Sequence, residues 1–191
     1  IGERAQGGGA RGRERAPELR AGWGIEPRAG GSVPLWVGGA GHVGRALVAT
    51  LAPLPDLAIT WVDTGPARYP EDIPAGVTAL PAADPARLVP HAPRDAHHLI
   101  LTYSHALDLE LCHRILGRPF RTLGLIGSMT KRARFRTKLQ ALGHSPAQIS
   151  RINCPIGDPA LGKEPKAIAL GVAAELIRST AQSSARKEAV E

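Results

Sequence analysis

A glycine-rich turn restricts the choice of fold more sharply than any other part of this chain. Gly39, Gly41 and Gly44 form a G-x-G-x-x-G pattern behind a strand-like apolar run, and apolar residues then recur at helical spacing. In such a turn the first glycine permits a tight bend, the second lets a pyrophosphate approach bare backbone, and the third lets helix and strand pack closely. The helix N-terminus adds unpaired N–H groups that favour an anion.

The segment that follows the turn also favours a dinucleotide-type fold. Residues 57–63, LAITWVD, are strand-like and end in Asp63. This acid comes about twenty residues after the turn, where Rossmann folds carry the carboxylate that binds a ribose. The other interpretation of the same residues is a glycine-rich turn that binds nothing, with Asp63 as an ordinary loop acid.

Strand-like and helix-like segments alternate along the rest of the chain. This alternation predicts an α/β, Rossmann-like, doubly wound and mostly parallel sheet with flanking helices. The predicted strands lie near 34–38, 57–63 and 77–80 and within the segments DAHHLILTYS and RTLGLIGS, and the predicted helices lie near 42–52, 84–90, 106–116, 130–142 and 165–180. We predict a flexible Gly/Arg-rich arm over 1–33, a cofactor-binding domain over 34–180 and a flexible tail over 181–191.

Length and cysteine content limit the class of protein. A chain of 191 residues can hold one sizeable α/β domain. It has no apolar run long enough for a membrane span and no apolar core of a signal peptide. Its two cysteines, Cys112 and Cys154, are too few for a disulfide framework. We therefore expect a cytoplasmic protein in a reducing compartment, with no membrane partner.

The formal net charge of +7 is concentrated in one segment. No acid occurs between Ser128 and Arg151, while six basic residues do: Lys131, Arg132, Arg134, Arg136, Lys138 and Arg151. This segment favours an anion site or a surface for an acidic partner, and a solvated helix face is the alternative. Only Phe135 interleaves with the charges, so we do not predict nucleic-acid binding.

Polar residues follow several predicted strands, where a parallel sheet binds its ligands. We expect three groups to meet the glycine turn in one crevice: Asp63; Ser104, His105 and Asp108; and Gly127 and Ser128 with Lys131 and Arg132. Ser104 and Ser128 are equally typical of helix caps. The spacing of Ser104, His105 and Asp108 does not fit a hydrolytic triad.

Cys154 lies in a segment of turn-forming residues, RINCPIGDPALGKEP, which we predict to be a loop. If nearby basic residues lowered its pKa, Cys154 could serve as a thiolate ligand or a sulfur carrier. Free cysteine is otherwise a small buried hydrophobic residue, which is also our interpretation of Cys112.

These motifs, in this order, resemble the C-terminal Rossmann domain of the XdhC/CoxI family. The residues that carry the resemblance are VGGAGHVGRAL, WVDTGPARYP, LTYSHALDLEL, GLIGSMTKRARF and RINCPIGDPALGKEPKAIALGVAAEL, which together span about residues 34–177. Members of this family are accessory proteins for the maturation of xanthine dehydrogenase and related molybdenum hydroxylases. They commonly carry a further N-terminal domain, which residues 1–33 do not resemble.

The resemblance implies a chaperone that binds the molybdenum cofactor as molybdopterin or a dinucleotide form. Such a protein protects the cofactor, supports its sulfuration and delivers it to apo-xanthine dehydrogenase or a related molybdenum hydroxylase. It also implies a cysteine desulfurase-type sulfur donor as a partner, and a homodimer is left open. The cofactor-binding residues that we predict are Gly39, Gly41, His42, Gly44, Asp63, Ser104, His105, Gly127, Ser128, Lys131 and Cys154.

Two other functions are compatible with the same residues. The first is an NAD-dependent oxidoreductase that uses the glycine turn, with Asp63 on the ribose hydroxyls. Such an enzyme needs general acid and base groups, and only His105 is well placed to act as one. The second is an interaction module that recruits an acidic partner through the basic helix and needs no small ligand. We assign no catalytic residue and predict no metal ligand.

Overall fold

The computed structural model describes residues 32–54 and 56–188, with side chains up to residue 179. Six strands form one all-parallel sheet in the order β3-β2-β1-β4-β5-β6. The strands are β1 (Val33–Gly38), β2 (Leu57–Asp63), β3 (Val77–Pro81), β4 (His97–Ile100), β5 (Thr122–Leu125) and β6 (Ile152–Asn153). This sheet confirms the predicted fold class. Apart from its last two residues, the predicted N-terminal arm lies outside the described residues.

Within the described residues, five α-helices connect or follow the strands. They are α1 (His42–Leu51), α2 (His105–Leu116), α3 (Met129–Ala141), α4 (Pro146–Ile149) and α5 (Pro165–Glu188). Short 3-10 helices occupy Pro66–Arg68, Pro85–His91 and Pro159–Leu161. Serine side chains cap the N-termini of α2, α3 and α4 by accepting a backbone N–H, which is why these helices begin where they do. Among the described residues, no helix has the length and apolar character that crossing a membrane requires.

Two predictions about the C-terminal third were wrong. The segment RINCPIG was predicted as a loop, but Ile152 and Asn153 pair with β5 and form the sixth strand. A strand of two residues gives no visible alternation, so the sequence pattern could not reveal it. The final helix continues to Glu188, because residues 181–188 contain neither proline nor glycine and are rich in good helix formers. Residues 189–191 of the predicted tail lie outside the described part of the chain.

The hydrophobic core is divided between the two faces of the sheet. On one face, residues of α1 and α5 pack against the sheet, with Leu35, Val37 and Trp61 among the buried residues. On the other face, residues of α2 and α3 pack against Leu123 and Leu125. Helices thus cover both faces of the sheet, as is typical of all-parallel sheets, whose two faces are apolar. The carboxyl ends of the strands then form one edge of the domain.

The strand order determines where a crevice forms along this edge. The chain passes from β1 outward to β2 and β3, and then returns to place β4 on the other side of β1. The loops that follow β1 and β4 therefore leave the sheet toward opposite faces. In doubly wound sheets this point of reversal is where ligands bind.

Candidate functional site

The turn after β1 is built from glycines that the fold itself requires. Gly39 has φ +119°, and a Cβ there would lie 2.4 Å from the carbonyl oxygen of Leu101. A Cβ on Gly44 would lie 2.0 Å from the carbonyl oxygen of Gly39. These two positions show the tight bend and the close helix packing that the sequence predicts.

Gly41 differs from these two glycines because the fold does not require it. Its φ of −75° is open to any residue, and a Cβ there would meet no atom of the described residues within 4 Å. Helix α1 begins here with no side-chain cap and no acid in its first turn. The first amides of α1 therefore have no side-chain cap, which is the arrangement in which a helix N-terminus can accept an anion.

Three side chains hold the turn in place from behind. The indole N–H of Trp61 donates a hydrogen bond to the carbonyl oxygen of Gly39 at 3.0 Å. Asp63 accepts the backbone N–H of Ala40 at 2.6 Å, and Arg45 donates to the Ala40 carbonyl at 3.0 Å. These contacts tie the turn to β2 and to α1, so its geometry is set before any ligand arrives.

Asp63 is occupied within the protein. Its Oδ2 accepts the Ala40 amide, and its Oδ1 accepts the backbone N–H and the hydroxyl of Thr64 at 2.6 and 3.1 Å. The Asp63 side chain is only 1% exposed. The structure thus places this carboxylate beside the glycine turn, as predicted from its spacing, but directs it into the protein rather than toward the crevice.

Sequence reasoning missed Arg68, which lies beside Asp63 in the 3-10 helix after β2. Its Nε is 3.5 Å from Oδ1 of Asp63, and its guanidinium carbon is 4.5 Å from the centroid of the Tyr103 ring. Tyr103 follows β4 and is 66% exposed. Arg68 therefore joins the loops after β2 and β4 at the crevice. The signal in the sequence was the basic residue five positions after Asp63, in TGPAR.

The loop after β4 leads into α2 through Ser104 and Asp108. The hydroxyl of Ser104 accepts the backbone N–H of Leu107 at 3.3 Å, so this serine acts as the N-cap. Asp108 is fully buried and accepts the backbone N–H and the hydroxyl of Thr102 at 3.1 and 2.6 Å. His105 is exposed at the start of α2. Among these residues, only His105 and Tyr103 present their side chains largely to solvent.

Lys131 also has an internal partner. Its ammonium donates to Oδ2 of Asp108 at 2.6 Å and to the carbonyl oxygen of Ile126 at 2.8 Å, and its side chain is 10% exposed. Ser128 caps α3 by accepting the backbone N–H of Lys131 at 3.2 Å. Gly127 packs against the aliphatic part of Lys131, where a Cβ would lie 2.5 Å from its Cδ. The ion pair between Asp108 and Lys131 is thus a structural link between α2 and α3.

The remaining cations of α3 face outward. Arg132, Arg134, Arg136 and Lys138 are all exposed. An exposed row of cations suits an acidic surface or a solvated helix face equally well, so the partner role of this helix stays a prediction.

Cys154 lies in the apolar layer beneath α2 and α3, with Cys112 in the same cluster. Cys154 is 2% exposed. Burial raises the pKa of the Cys154 thiol above its usual value, and the nearby charges of Lys131 and Arg132 offset this only in part. The lowered pKa that a thiolate ligand or sulfur carrier would need is therefore not found.

The predicted site residues fall into two adjoining groups along the carboxyl edge. The first surrounds the glycine turn and contains Gly39, Gly41, His42, Gly44 and Asp63, with His42 exposed at the first position of α1. The second joins the loops after β4 and β5 and contains Ser104, His105, Gly127, Ser128 and Lys131. Cys154 is buried beneath the second group and does not reach the crevice surface.

The strand order and the glycine turn at the β1/β4 reversal define a Rossmann-type domain. The chain belongs to the XdhC family through this domain, because the family model described as the XdhC Rossmann domain matches residues 35–176. This match includes all six strands except the first two residues of β1.

The chain is also similar to two known proteins. The chain is 28% identical over 141 residues to the uncharacterized protein YqeB of Escherichia coli (strain K12), covering 73% of this chain and 26% of that protein. A crystal structure described as a xanthine dehydrogenase from Bacillus halodurans matches with a TM-score of 0.64 and 21% identity, covering 77% of this chain and 42% of the other. The chain thus spans less than half the length of either protein.

Proposed function

We propose that this domain binds the molybdenum cofactor by its phosphate and holds it for delivery to apo-xanthine dehydrogenase or a related molybdenum hydroxylase. The observation that carries the proposal is the open corner at Gly41, where α1 begins without a side-chain cap and no described residue lies within 4 Å of the position of a Cβ. Membership of the XdhC family supports the choice of cofactor and recipient.

The residues at this corner fit a phosphate. The first amides of α1 supply hydrogen-bond donors, and the helix dipole favours negative charge at the same place. Since the first turn of α1 contains no acid, nothing on the helix opposes an anion there. A phosphate ester, whether it ends a pterin or joins it to a nucleotide, presents the acceptor oxygens that such donors need.

The bound cofactor would supply the molybdenum centre that the hydroxylase uses. The chain's own contribution is to bind the phosphate, orient the ligand along the carboxyl edge and shield one side of it. His105 and Tyr103 are the exposed side chains on the neighbouring loop after β4. Because Cys154 is buried and its pKa is raised, we assign the sulfur for sulfuration to a cysteine desulfurase-type partner and not to this thiol.

The main alternative, an NAD-dependent oxidoreductase, receives less support from the geometry. NAD binding in a Rossmann fold uses the acid after β2 to accept the ribose hydroxyls. In this protein the Asp63 carboxylate already accepts three internal donors and is almost completely buried. The delivery function does not depend on that acid.

Substitution at Gly41 tests the proposal. In Gly41→Val the new Cβ projects into the open corner and meets no described atom within 4 Å, so the side chain should block a ligand while leaving the fold intact. We expect its affinity for the molybdenum cofactor, measured by titration of the purified protein, to fall by at least about tenfold, as the loss of one charge-assisted contact implies.

Gly117→Ala is the matched control. Gly117 also has an ordinary φ of −78° and room for a Cβ, but it ends α2, away from the helix start that faces the crevice. This variant should bind the cofactor as the parent does. Unchanged cofactor binding by Gly41→Val would overturn the proposal, and so would tight NAD binding accompanied by hydride transfer to a substrate.

A further inference from the structure

We propose that the side chains of His113 and His144 together bind one divalent transition-metal ion, with Cu²⁺ or Ni²⁺ as the best fit. This site lies outside the crevice, because His113 follows His105 by eight residues, or about 12 Å, along α2. No residue spacing indicates the pair, since its two members are 31 positions apart in the sequence. The metal site is therefore independent of the proposed cofactor function.

The two ring nitrogens that face each other are close enough to share one metal ion. The Nδ1 of His113 is 2.7 Å from the Nε2 of His144, and the ring centroids are 4.9 Å apart with an interplanar angle of 71°. Imidazole nitrogens bind divalent metals at about 2.0–2.1 Å. Two nitrogens at the observed spacing therefore subtend an angle of about 80–85° at a metal ion that binds both.

This angle determines which metal fits the pair. Cu²⁺ and Ni²⁺ take square-planar or tetragonal coordination by nitrogen and oxygen, in which neighbouring ligands are about 90° apart. Tetrahedral Zn²⁺ would need about 109°, and hence about 3.3 Å between the two nitrogens. Among the described residues, no group of three or more His, Cys, Asp or Glu side chains is placed to hold a metal ion, so water completes the coordination.

The backbone holds both histidines in position. The N–H of Gly143, which has φ +92°, donates to the carbonyl oxygen of Gln140 at 3.0 Å. The N–H of His144 donates to the carbonyl oxygen of Leu139 at 3.0 Å, so α3 ends in a Schellman motif. A capping box starts α4 immediately afterwards, and α2 fixes His113 by packing its other side into the core. Ligands placed in advance lose little freedom when they bind a metal.

The charges around the pair also suit a cation. His113 lies in the last turn of α2, and His144 is the second residue after the C-cap of α3. Because the C-terminal end of a helix carries partial negative charge, both helix dipoles favour a positive ion at this place. Arg114 adjoins His113 on α2, but its charge is offset by Glu110, whose carboxylate accepts its Nε–H at 2.6 Å.

Metal binding replaces the hydrogen bond that the two rings share. In that bond one of the facing nitrogens carries a proton and the other accepts it. When a metal binds, the donating ring takes its other tautomer, with the proton on the nitrogen that faces away, so both facing lone pairs become available. Both rings are half-buried, so a metal ion can reach them from solvent and the rings have room to turn toward it.

Calorimetric titration of the full, untagged chain with CuCl₂, NiCl₂ and ZnCl₂ tests the site. In His113→Asn and His144→Gln an amide lies close to the place of the lost ring nitrogen, but it is a poor ligand for these metals. We expect the parent to bind one equivalent of Cu²⁺ or Ni²⁺, and each variant to bind at least about tenfold more weakly, since a single imidazole does not chelate. His91→Gln removes an exposed histidine elsewhere and should bind as the parent does.

Electron paramagnetic resonance of the Cu²⁺ complex gives a second measurement, which decides even if a variant does not fold. Its echo modulation should report two equatorial imidazoles in the parent and one in each variant. Equal binding by the parent and both variants would show adventitious binding only and overturn the proposal, and Zn²⁺ binding tighter than Ni²⁺ would overturn the choice of metal. Gly41→Val should bind metal as the parent does, so this proposal and the cofactor function fail independently.

Discussion

Trp61 shows how a single buried side chain sets the geometry of the candidate site. Its indole N–H is paired with the carbonyl oxygen of Gly39, and the residue is 1% exposed. Tyr69 packs edge-on against the indole at 5.2 Å and donates its hydroxyl to the Trp61 carbonyl. Trp61 therefore links the core to the turn that we propose as the phosphate site.

We expect Trp61→Phe to lower the free energy of unfolding by about 2–4 kcal/mol, because it leaves the buried Gly39 carbonyl without its donor and removes part of a packed ring. Urea denaturation measures this loss. Trp36→Phe is the control, since Trp36 is only half-buried on β1. A loss no larger than that of Trp36→Phe would contradict a specific role for the indole N–H.

For individual residues, the sequence predicted which backbone positions must be glycine better than it predicted which side chains contact one another. The spacing of Gly39, Gly41 and Gly44 identified the turn, because only glycine tolerates its bend and its close contacts. The occupation of Asp63 and the position of Arg68 depend on how the loop after β2 folds back, and no residue spacing records that. The role of each residue in ligand binding stays a prediction.

Among the elements, α2 and α3 illustrate what periodicity and caps reveal. Both helices were predicted within one residue of their observed N-termini, since a serine precedes each of them and accepts an N–H of the first turn. Their connection was not predictable. Asp108 and Lys131 are 23 residues apart and meet only because β4 and β5 are neighbours in the sheet.

We expect Lys131→Met to lower the free energy of unfolding by about 3–5 kcal/mol, because it leaves the buried Asp108 carboxylate without its cation. The double variant Asp108→Asn with Lys131→Met should be less destabilised than the sum of the two single variants. A denaturant-based double-mutant cycle measures this coupling. Additive losses would show that the two side chains do not stabilise the fold as a pair.

For the whole molecule, the strand order places two buried histidines in the middle of the sheet. His97 and His98 lie on β4, between β1 and β5, and are 1% and 3% exposed. The Nδ1 of His97 is 2.7 Å from the Thr122 hydroxyl, and within the described part of the chain the Nε2 atoms of both rings lack a hydrogen-bond partner. The alternation of segments predicted a strand here, but neither its central place in the sheet nor the burial of its histidines.

Burial lowers the pKa of both histidines to about 4, and positive charge adds to the effect, from Arg121 at His97 and from Arg118 at His98. In the unfolded chain a histidine titrates near 6.5. As the pH falls below that value, the unfolded state binds protons at these histidines and the folded state does not. The folded protein therefore loses stability. Each histidine should lower the free energy of unfolding by about 2 kcal/mol as the pH falls from 7.5 to 5.

His98→Leu tests this dependence, because leucine fills a similar buried space and cannot take up a proton. Urea unfolding measured from pH 7.5 to pH 5 should show a decline in stability that is about 2 kcal/mol smaller than in the parent protein. His91→Gln removes an exposed histidine and should leave the parent's decline unchanged. If His98→Leu and the parent lose stability in parallel, the acid sensitivity of the domain does not arise from the histidine at the centre of its sheet.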